Sequence, residues 1–279
     1  MTTLVKRISI IIIAVCMMCV FMPSMVFAGS NALPTKYDLR NVNGISYVTP
    51  VKMQGDCWAF ATIGALESAA IKSGLANGDV DYSEAYLEYF TYHGYINDEN
   101  SPMYGDGVNY DKPFNGVGTG ALQDYIGLIT SRAGIVDESK YPFILNEDGV
   151  MDTTCQDKMK QYFEGKPELR FLKNNIEIKR ITQVIGKSTA TKTKRNAVKK
   201  ALIKNGNADV EFCFGDDANI VNIDDHSSYY YNKDGSEYHV VDIVGWDDNY
   251  AVKYFGKNKP PHKGAWLCKN SWGFSIIRY

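Results

Sequence analysis

The sequence predicts an α+β fold, and three observations lead to this expectation. A segment that is apolar almost all round follows Cys57, which is typical of a helix buried in a core. Two strand-like segments, 238–248 and 265–273, lie near the end of the chain. With 279 residues, of which 45% are apolar and 22% charged, the composition is that of a globular protein, long enough for one large domain or two lobes around a shared cleft.

The first 28 residues have the three parts of a secretory signal peptide. Lys6 and Arg7 precede an apolar run over 8–21, and Val26-Phe27-Ala28 supplies the small-residue end. We expect cleavage after Ala28 and a secreted or cell-surface protein of bacterial type. An uncleaved signal anchor is the alternative, although the run is shorter than the ~20 residues that a spanning helix needs.

The segment after Gln54 predicts a turn followed by a helix with a thiol in its first turn. Asp56 suits the N-cap position, and Lys72 with Gly74 suits the helix end. Unpaired amides and the helix dipole at the N-terminus favour a thiolate, so Cys57 stands where a nucleophile is wanted. A structural buried cysteine is the alternative, because lone thiols are often core residues.

Two later strands carry a candidate base and its orienting partner. His239 stands at the start of the first strand, and Asn270 ends the second. A thiol needs a base to take its proton, and the base needs a partner that fixes its tautomer and ring plane. Cys57, His239 and Asn270 therefore make a functional set.

At these three places the chain resembles the papain family of cysteine peptidases. The matching motifs are Gln-Gly-x-Cys-Trp-Ala-Phe around Cys57, His-x-Val-x-Ile-Val-Gly-Trp-Asp from His239 and Lys-Asn-Ser-Trp-Gly around Asn270. They occur in the family's order. Weaker matches extend the resemblance from about residue 33 to residue 273.

The resemblance implies a papain-like two-lobed fold over 29–279, with a helical lobe at about 33–141 and a mainly antiparallel β lobe at about 142–279. It implies peptide-bond hydrolysis, in which Cys57 attacks the carbonyl, His239 holds the proton and Asn270 orients the imidazole. Gln54 and the Cys57 amide would stabilise the oxyanion. Trp272 would shield the His–Asn hydrogen bond beside the substrate. We expect a peptide or protein substrate, a monomer, and no cofactor or metal.

Gly116 and Gly118 match the family's substrate ledge. Glycine there would let an extended peptide approach the backbone closely and pair as an added strand. Turn glycines without a ligand are the alternative. The stretch from Tyr92 to Gly120 is rich in Gly, Asn, Asp and Tyr, which is typical of long surface loops.

The segment from Lys166 to Lys204 is strongly basic, with twelve Lys or Arg and two Glu. Its second half, Thr193 to Asn205, predicts a helix that buries Ala197, Val198, Ala201 and Leu202 on one face. A solvated basic surface is the default interpretation, and attraction to anionic cell-wall polymers is the functional one. The formal net charge of −2 gives no reason to expect a nucleic-acid partner.

Four cysteines remain after the leader, at Cys57, Cys155, Cys213 and Cys268. Cys213 and Cys268 lie in strand-like apolar runs and are expected to be core thiols. An exported protein could pair its cysteines, but committing Cys57 to a disulfide would abolish a nucleophile. The spacings hold no zinc pattern.

Departures from the family pattern predict a weak or dead peptidase. Gln54 lies closer to Cys57 than in the family, and Asp56 places a carboxylate beside the thiol. The family's closing strands do not follow Gly273, which predicts an incomplete β lobe with open edges. The second hypothesis is a non-catalytic relative that binds peptide or wall polymer. A wall-peptide amidase on a related Cys/His scaffold is the third.

Overall fold

The computed structural model describes residues 32–52, 56–102, 104–105, 135–148, 152–166, 169–170, 178, 180–185, 191–215, 221–223, 226–231, 238–273 and 276–278. The predicted signal peptide lies outside the described residues. Contacts divide the chain into Met1–Leu33 and Pro34–Tyr279, and every element below belongs to the second unit. Within the described ranges, no helix combines the length and the hydrophobicity needed to cross a bilayer.

The described residues form an α+β arrangement, which confirms the fold class predicted from the sequence. The helices are α1 (Cys57–Lys72), α2 (Glu84–His93), α3 (Thr153–Phe163) and α4 (Lys192–Asn205), with a 3-10 turn at Val252–Tyr254. The strands are β1 (Lys36–Asp38), β2 (Ala208–Cys213), β3 (Val221–Ile223), β4 (His226–Ser228), β5 (Tyr238–Asp247), β6 (Ala265–Lys269) and β7 (Ile276–Arg278).

Helix α1 is the buried helix that the apolar segment predicts. Trp58, Ala59 and Ile63 are 1% exposed or less, and the helix packs against both β5 and α2. It ends at Lys72, and Gly74 follows with φ +74. The Gly74 N–H donates to the carbonyl of Ile71, so the glycine satisfies an orphan carbonyl of the last turn.

A helical core forms where α1, α2 and α3 meet. Tyr86 and Phe90 of α2 pack around Phe163 of α3, with ring centroids 6.3 and 5.4 Å away from it. Ser83 caps α2 by accepting from the Tyr86 amide at 3.0 Å. The Ser83 hydroxyl also donates to the Tyr141 carbonyl. Because Phe163 belongs to the same core, the core draws on residues before and after the predicted lobe boundary at 141/142.

The sheet is centred on β5, the strand that His239 enters. β1 and β2 pair with successive parts of one edge of β5, and β6 pairs with the other edge, all antiparallel. β7 pairs antiparallel with β6 and parallel with β4, which pairs with β3. The edge of β6 that faces away from β5 is therefore paired with β7. The sheet is mainly antiparallel, as predicted.

Helix α4 covers the sheet with the apolar face that the sequence predicts. Val198 and Leu202 are buried against Val241 and Trp246, in a second core beside the sheet. Lys199 is buried as well, because its ammonium is paired with the Asp248 carboxylate and lies over the Trp246 ring. The basic face of this helix is therefore smaller than the sequence suggests.

Candidate active site

Cys57 begins α1 and faces the first residues of β5. Its side chain is half-buried, and its sulfur accepts a hydrogen bond from the backbone N–H of Val240. Because Val240 follows His239, this contact places the candidate nucleophile next to the backbone of the candidate base. A small cavity between helix and sheet is lined by Lys52, Cys57, Phe60, Ala61, Glu84, Val240, Val241, Asp242, Lys269, Asn270 and Ser271.

Burial raises the pKa of the Cys57 thiol above its ordinary value. The Asp56 carboxylate adds to the rise, while the amides of Val240 and of the first helical turn oppose it. Asp56 occupies the N-cap position, as predicted, but its side chain makes no cap hydrogen bond. The Asp56 carboxylate therefore adds its negative charge beside the thiol without capping the helix.

His239 and Asn270 are held together by a direct hydrogen bond. The distance from His239 Nε2 to Asn270 Oδ1 is 2.8 Å, and the Ser271 amide donates to the same oxygen at 2.9 Å. Since an amide oxygen only accepts, Nε2 carries the proton and Nδ1 is the basic nitrogen. In the part of the chain that the structure describes, no hydrogen bond engages Nδ1.

Aromatic rings enclose the imidazole of His239. Trp272 stacks on it with ring centroids 4.7 Å apart and an interplanar angle of 19°. Phe212 and Phe214 present their edges at 5.6 and 5.7 Å. Phe214 also contacts Trp272 edge-on at 5.5 Å and stacks on Tyr229 at 5.0 Å. The His–Asn hydrogen bond is therefore shielded on the side of Trp272.

The surroundings of Cys57 and His239 shift their pKa values in opposite directions. Burial lowers the pKa of His239, and the Asn270 hydrogen bond only partly offsets this. Because burial moves the pKa of Cys57 upward, it disfavours a thiolate–imidazolium ion pair between the two groups. Within the described residues, Cys57 and His239 are not hydrogen-bonded to each other.

Lys52, which precedes Cys57 in the chain, is bonded both to helix α2 and to the residue after Trp272. Lys52 Nζ contacts both carboxylate oxygens of Glu84 at 2.8 Å, at the start of α2. The Lys52 carbonyl accepts a hydrogen bond from the Gly273 amide at 3.1 Å, just after Trp272. Burial raises the pKa of Glu84 to about 8 despite Lys52. Lys52 therefore connects the segment before Cys57 to the residue that follows Trp272.

The order of the three motifs along the chain agrees with a match to a family sequence model. Residues 33–277 match the model described as papain family cysteine protease. The chain belongs to the papain family.

Relatives of this papain-family chain are distant and longer. Cysteine protease Amb a 11.0101 of Ambrosia artemisiifolia is 25% identical over 89% of this chain and 49% of its own length. The cysteine protease and lectin-like domains of Cwp84, a surface layer associated protein of Clostridium difficile, are 23% identical, with a TM-score of 0.58 over 89% of this chain and 48% of theirs. Cwp84 after propeptide cleavage gives a TM-score of 0.54 at 23% identity, covering 87% of this chain and 53% of that one. The chain spans about half the length of these relatives, and the Cwp84 likeness shows a shared fold.

Three of the predicted site residues lie outside the described residues. Gln54 precedes Cys57 in the stretch 53–55, and Gly116 and Gly118 belong to 106–134. The oxyanion donor and the substrate ledge therefore stay predictions. Cys155, Cys213 and Cys268 are free thiols. Cys268 is buried as a core thiol should be, whereas Cys213 is only half-buried, so its expected place in the core is wrong.

Sequence reasoning missed Phe212, Phe214 and Asp242. The two phenylalanines come from β2 and the residue after it, and they reach His239 only because β2 pairs with β5 in a register that puts Phe212 opposite His239. Alternation along β2 signals that Phe212 and Phe214 share a face, but not which partner they meet. Asp242 shows as one carboxylate within an apolar strand, which is a recoverable signal.

Proposed function

We propose that this papain-family chain is a cysteine peptidase that hydrolyses peptide bonds through a thioester intermediate. The observation that carries the proposal is the 2.8 Å His239–Asn270 hydrogen bond under Trp272, beside a thiol at a helix N-terminus. The bond leaves Nδ1 of His239 as the base, and the helix amides favour negative charge on Cys57 as it develops.

Each step of the proposed reaction balances its protons. His239 Nδ1 takes the thiol proton as Cys57 sulfur attacks the peptide carbonyl, and the imidazolium then protonates the leaving amine as the C–N bond breaks. Water next attacks the thioester while His239 accepts a proton, and the proton returns to Cys57 sulfur as the acid leaves. Asn270 keeps the ring plane fixed throughout.

We propose that the rate is low for a peptidase. Burial and Asp56 raise the pKa of the thiol while burial lowers the pKa of His239, so both shifts make the proton transfer that begins each turnover less favourable. One oxyanion donor is worth about 10²- to 10³-fold in rate, so a Gln54 displaced by its short spacing from Cys57 would add to the loss. If these two effects together abolish hydrolysis, the chain would be a non-catalytic protein that binds peptide.

The test is labelling of the purified mature chain with a thiol-directed epoxide, followed by mass mapping. We expect the label on Cys57 and its loss in Cys57→Ser and His239→Ala. Cys155 and Cys268 are buried, so label on them reports unfolding instead of catalysis. Absence of label on Cys57 in the folded chain would refute the peptidase and leave a binding protein.

We further propose export to the cell surface. The support is the signal-like leader, together with a structural relative described as surface layer associated. Terminal sequencing of material recovered outside the cell is expected to begin at Gly29. Recovery of a chain that begins at Met1 would contradict cleavage and favour an uncleaved anchor.

We also propose that the exposed face of α4 binds an anionic cell-wall polymer. Lys192, Lys200 and Lys204 are exposed, and the helix contains no acidic residue. Lys199 is excluded from this surface because it is buried against Asp248 and Trp246. Attraction of this kind is electrostatic and is screened by salt.

Neutralising Lys200 and Lys204 to Gln is expected to weaken binding to purified walls at low salt several-fold, and to leave binding at 1 M salt, where the Debye length is about 3 Å, unchanged. Lys158→Gln with Lys160→Gln on α3 is the charge-matched control, since both are exposed. Equal wall binding by the two pairs would show that α4 presents only a solvated face.

A further inference from the structure

Asp242 is a carboxyl group buried where the nucleophile helix meets the sheet. It is 1% exposed and lies three residues after His239 on β5. The strand register places it directly opposite Asp209 on β2. On the helix side it reaches Gly64 of α1 so closely that a methyl group at Gly64 would overlap Asp242 Oδ2. The carboxyl therefore fills the space that this glycine leaves open.

Asn207 joins the same carboxyl to α1. Its side-chain N–H₂ donates to the Gly64 carbonyl at 3.3 Å and to Asp242 Oδ2 at 3.4 Å. Its backbone N–H donates to Ser68 Oγ at 3.1 Å. Through Asn207, Asp242 links the helix that begins with Cys57 to the strand that begins beside His239.

The charges around Asp242 do not balance if every acid is ionised. Lys269 on β6 is the nearby cation, and its ammonium donates to Thr49 Oγ1 at 2.8 Å, which in turn donates to Glu67 of α1. The titratable and charged groups that face Asp242 are Asp209 on β2, Glu67 on α1, and Cys268 and Lys269 on β6, and the cavity beyond adds Lys52, Cys57 and Glu84.

We propose that Asp242 is a positioning residue for the Cys57–His239 pair: it shares one proton with Asp209 and thereby holds α1 close to β5. The proposal rests on the peptidase function proposed above. Two ionised carboxylates directly opposite each other on paired strands repel, whereas a singly protonated pair is joined by a hydrogen bond. Ionisation of both groups pushes Asp242 toward Gly64 and loosens the contact between Cys57 and Val240.

The shared proton is expected to make the folded chain less stable as the pH rises. Burial first, and Asp209 second, raise the pKa of Asp242 well above its ordinary value, and Lys269 opposes the rise. The folded state therefore holds a proton that the unfolded chain releases near pH 4. This contribution to stability is complete below that pH and is lost as the pH rises through the folded pKa of the pair.

Thermal unfolding of Asp242→Asn, Asp209→Asn and the double variant, measured from pH 5 to pH 9, tests the shared proton. Either single substitution is expected to reduce the fall in Tm with rising pH, and the double variant to reduce it no further, because the two groups hold one proton. Asp157→Asn on α3 is exposed and is the control. Additive effects of the two substitutions, or an unchanged pH slope, would overturn the proposal. Asp209→Asn carries the test alone if Asp242→Asn does not fold.

Epoxide labelling of Cys57 at the alkaline end tests the positioning. Asp242→Asn is expected to label faster than the unchanged chain by up to about fivefold, the factor equivalent to about 1 kcal/mol of cross-strand repulsion, with no difference at pH 5. A ratio that is the same at both pH values would mean a structural role only. Absence of Cys57 label in every chain would refute the peptidase, while the Tm series would still decide whether the proton is shared.

Discussion

His239→Ala is expected to lower kcat/KM for peptide hydrolysis by about 10²- to 10⁴-fold, the range that a positioned acid–base group contributes. The loss is large because burial raises the pKa of Cys57, which makes the thiol more dependent on a base to take its proton. The measurement is hydrolysis of a peptide library by the substituted and unsubstituted chains. His262→Ala, at an exposed histidine, is the control.

The acid limb of the pH–rate profile gives a second readout of the same group. It is expected below pH 6.5, because burial lowers the pKa of His239 from that ordinary value. Asn270→Ala removes the hydrogen bond that raises this pKa and should move the limb to lower pH. Trp272→Ala opens the stacked face to water, relieves the desolvation and should move it to higher pH. Shifts in the same direction for both variants would contradict the assignment of the limb to His239.

Helices with strong local signals were predictable from the sequence. The apolar run after Cys57 and the Lys72–Gly74 ending gave the position of α1, because burial and capping depend on neighbours a few residues apart. The apolar face of α4, with Val198 and Leu202, was predictable for the same reason. The three family motifs supplied His239 and Asn270, and the strand segments around them are β5 and β6.

Features that depend on register between distant strands were not predictable. Lys199 is basic in a basic segment, and only its contact with Asp248, 49 residues away, shows that it is buried. Asp209 and Asp242 face each other because β2 and β5 pair in one register, and a shift of one residue would separate them. The missing cap bond of Asp56 depends on side-chain geometry that an N-cap preference alone does not fix.

Gly245→Ala is expected to destabilise the fold by about 1–3 kcal/mol, the usual cost of overpacking. Gly245 lies opposite Asp38 where β1 pairs with β5. A Cβ there would overlap the Tyr37 carbonyl oxygen and stand 3.1 Å from Asp38 Cα. These are backbone atoms, so no side-chain rotation relieves the overlap and β1 must move. The close approach of the β1 backbone therefore explains why glycine occupies position 245, in the Val-Gly-Trp sequence of β5.

Displacement of β1 by the added Cβ should also break the contacts that β1 makes with β5. The Leu39 amide donates to the Val244 carbonyl at 2.9 Å, and Tyr37 stacks on Trp246 at 5.0 Å. For a chain of this size, 1 kcal/mol corresponds to roughly 2–4 °C in Tm, so thermal unfolding should show a fall of about 2–12 °C. Gly78→Ala is the matched control, because a Cβ at Gly78 meets no atom within 4 Å. Since the overlap lies at the end of β5 remote from His239, epoxide labelling of Cys57 well below Tm is expected to persist. Equal Tm values for the two glycine variants would contradict this prediction, because they would show that β1 shifts without loss of stability.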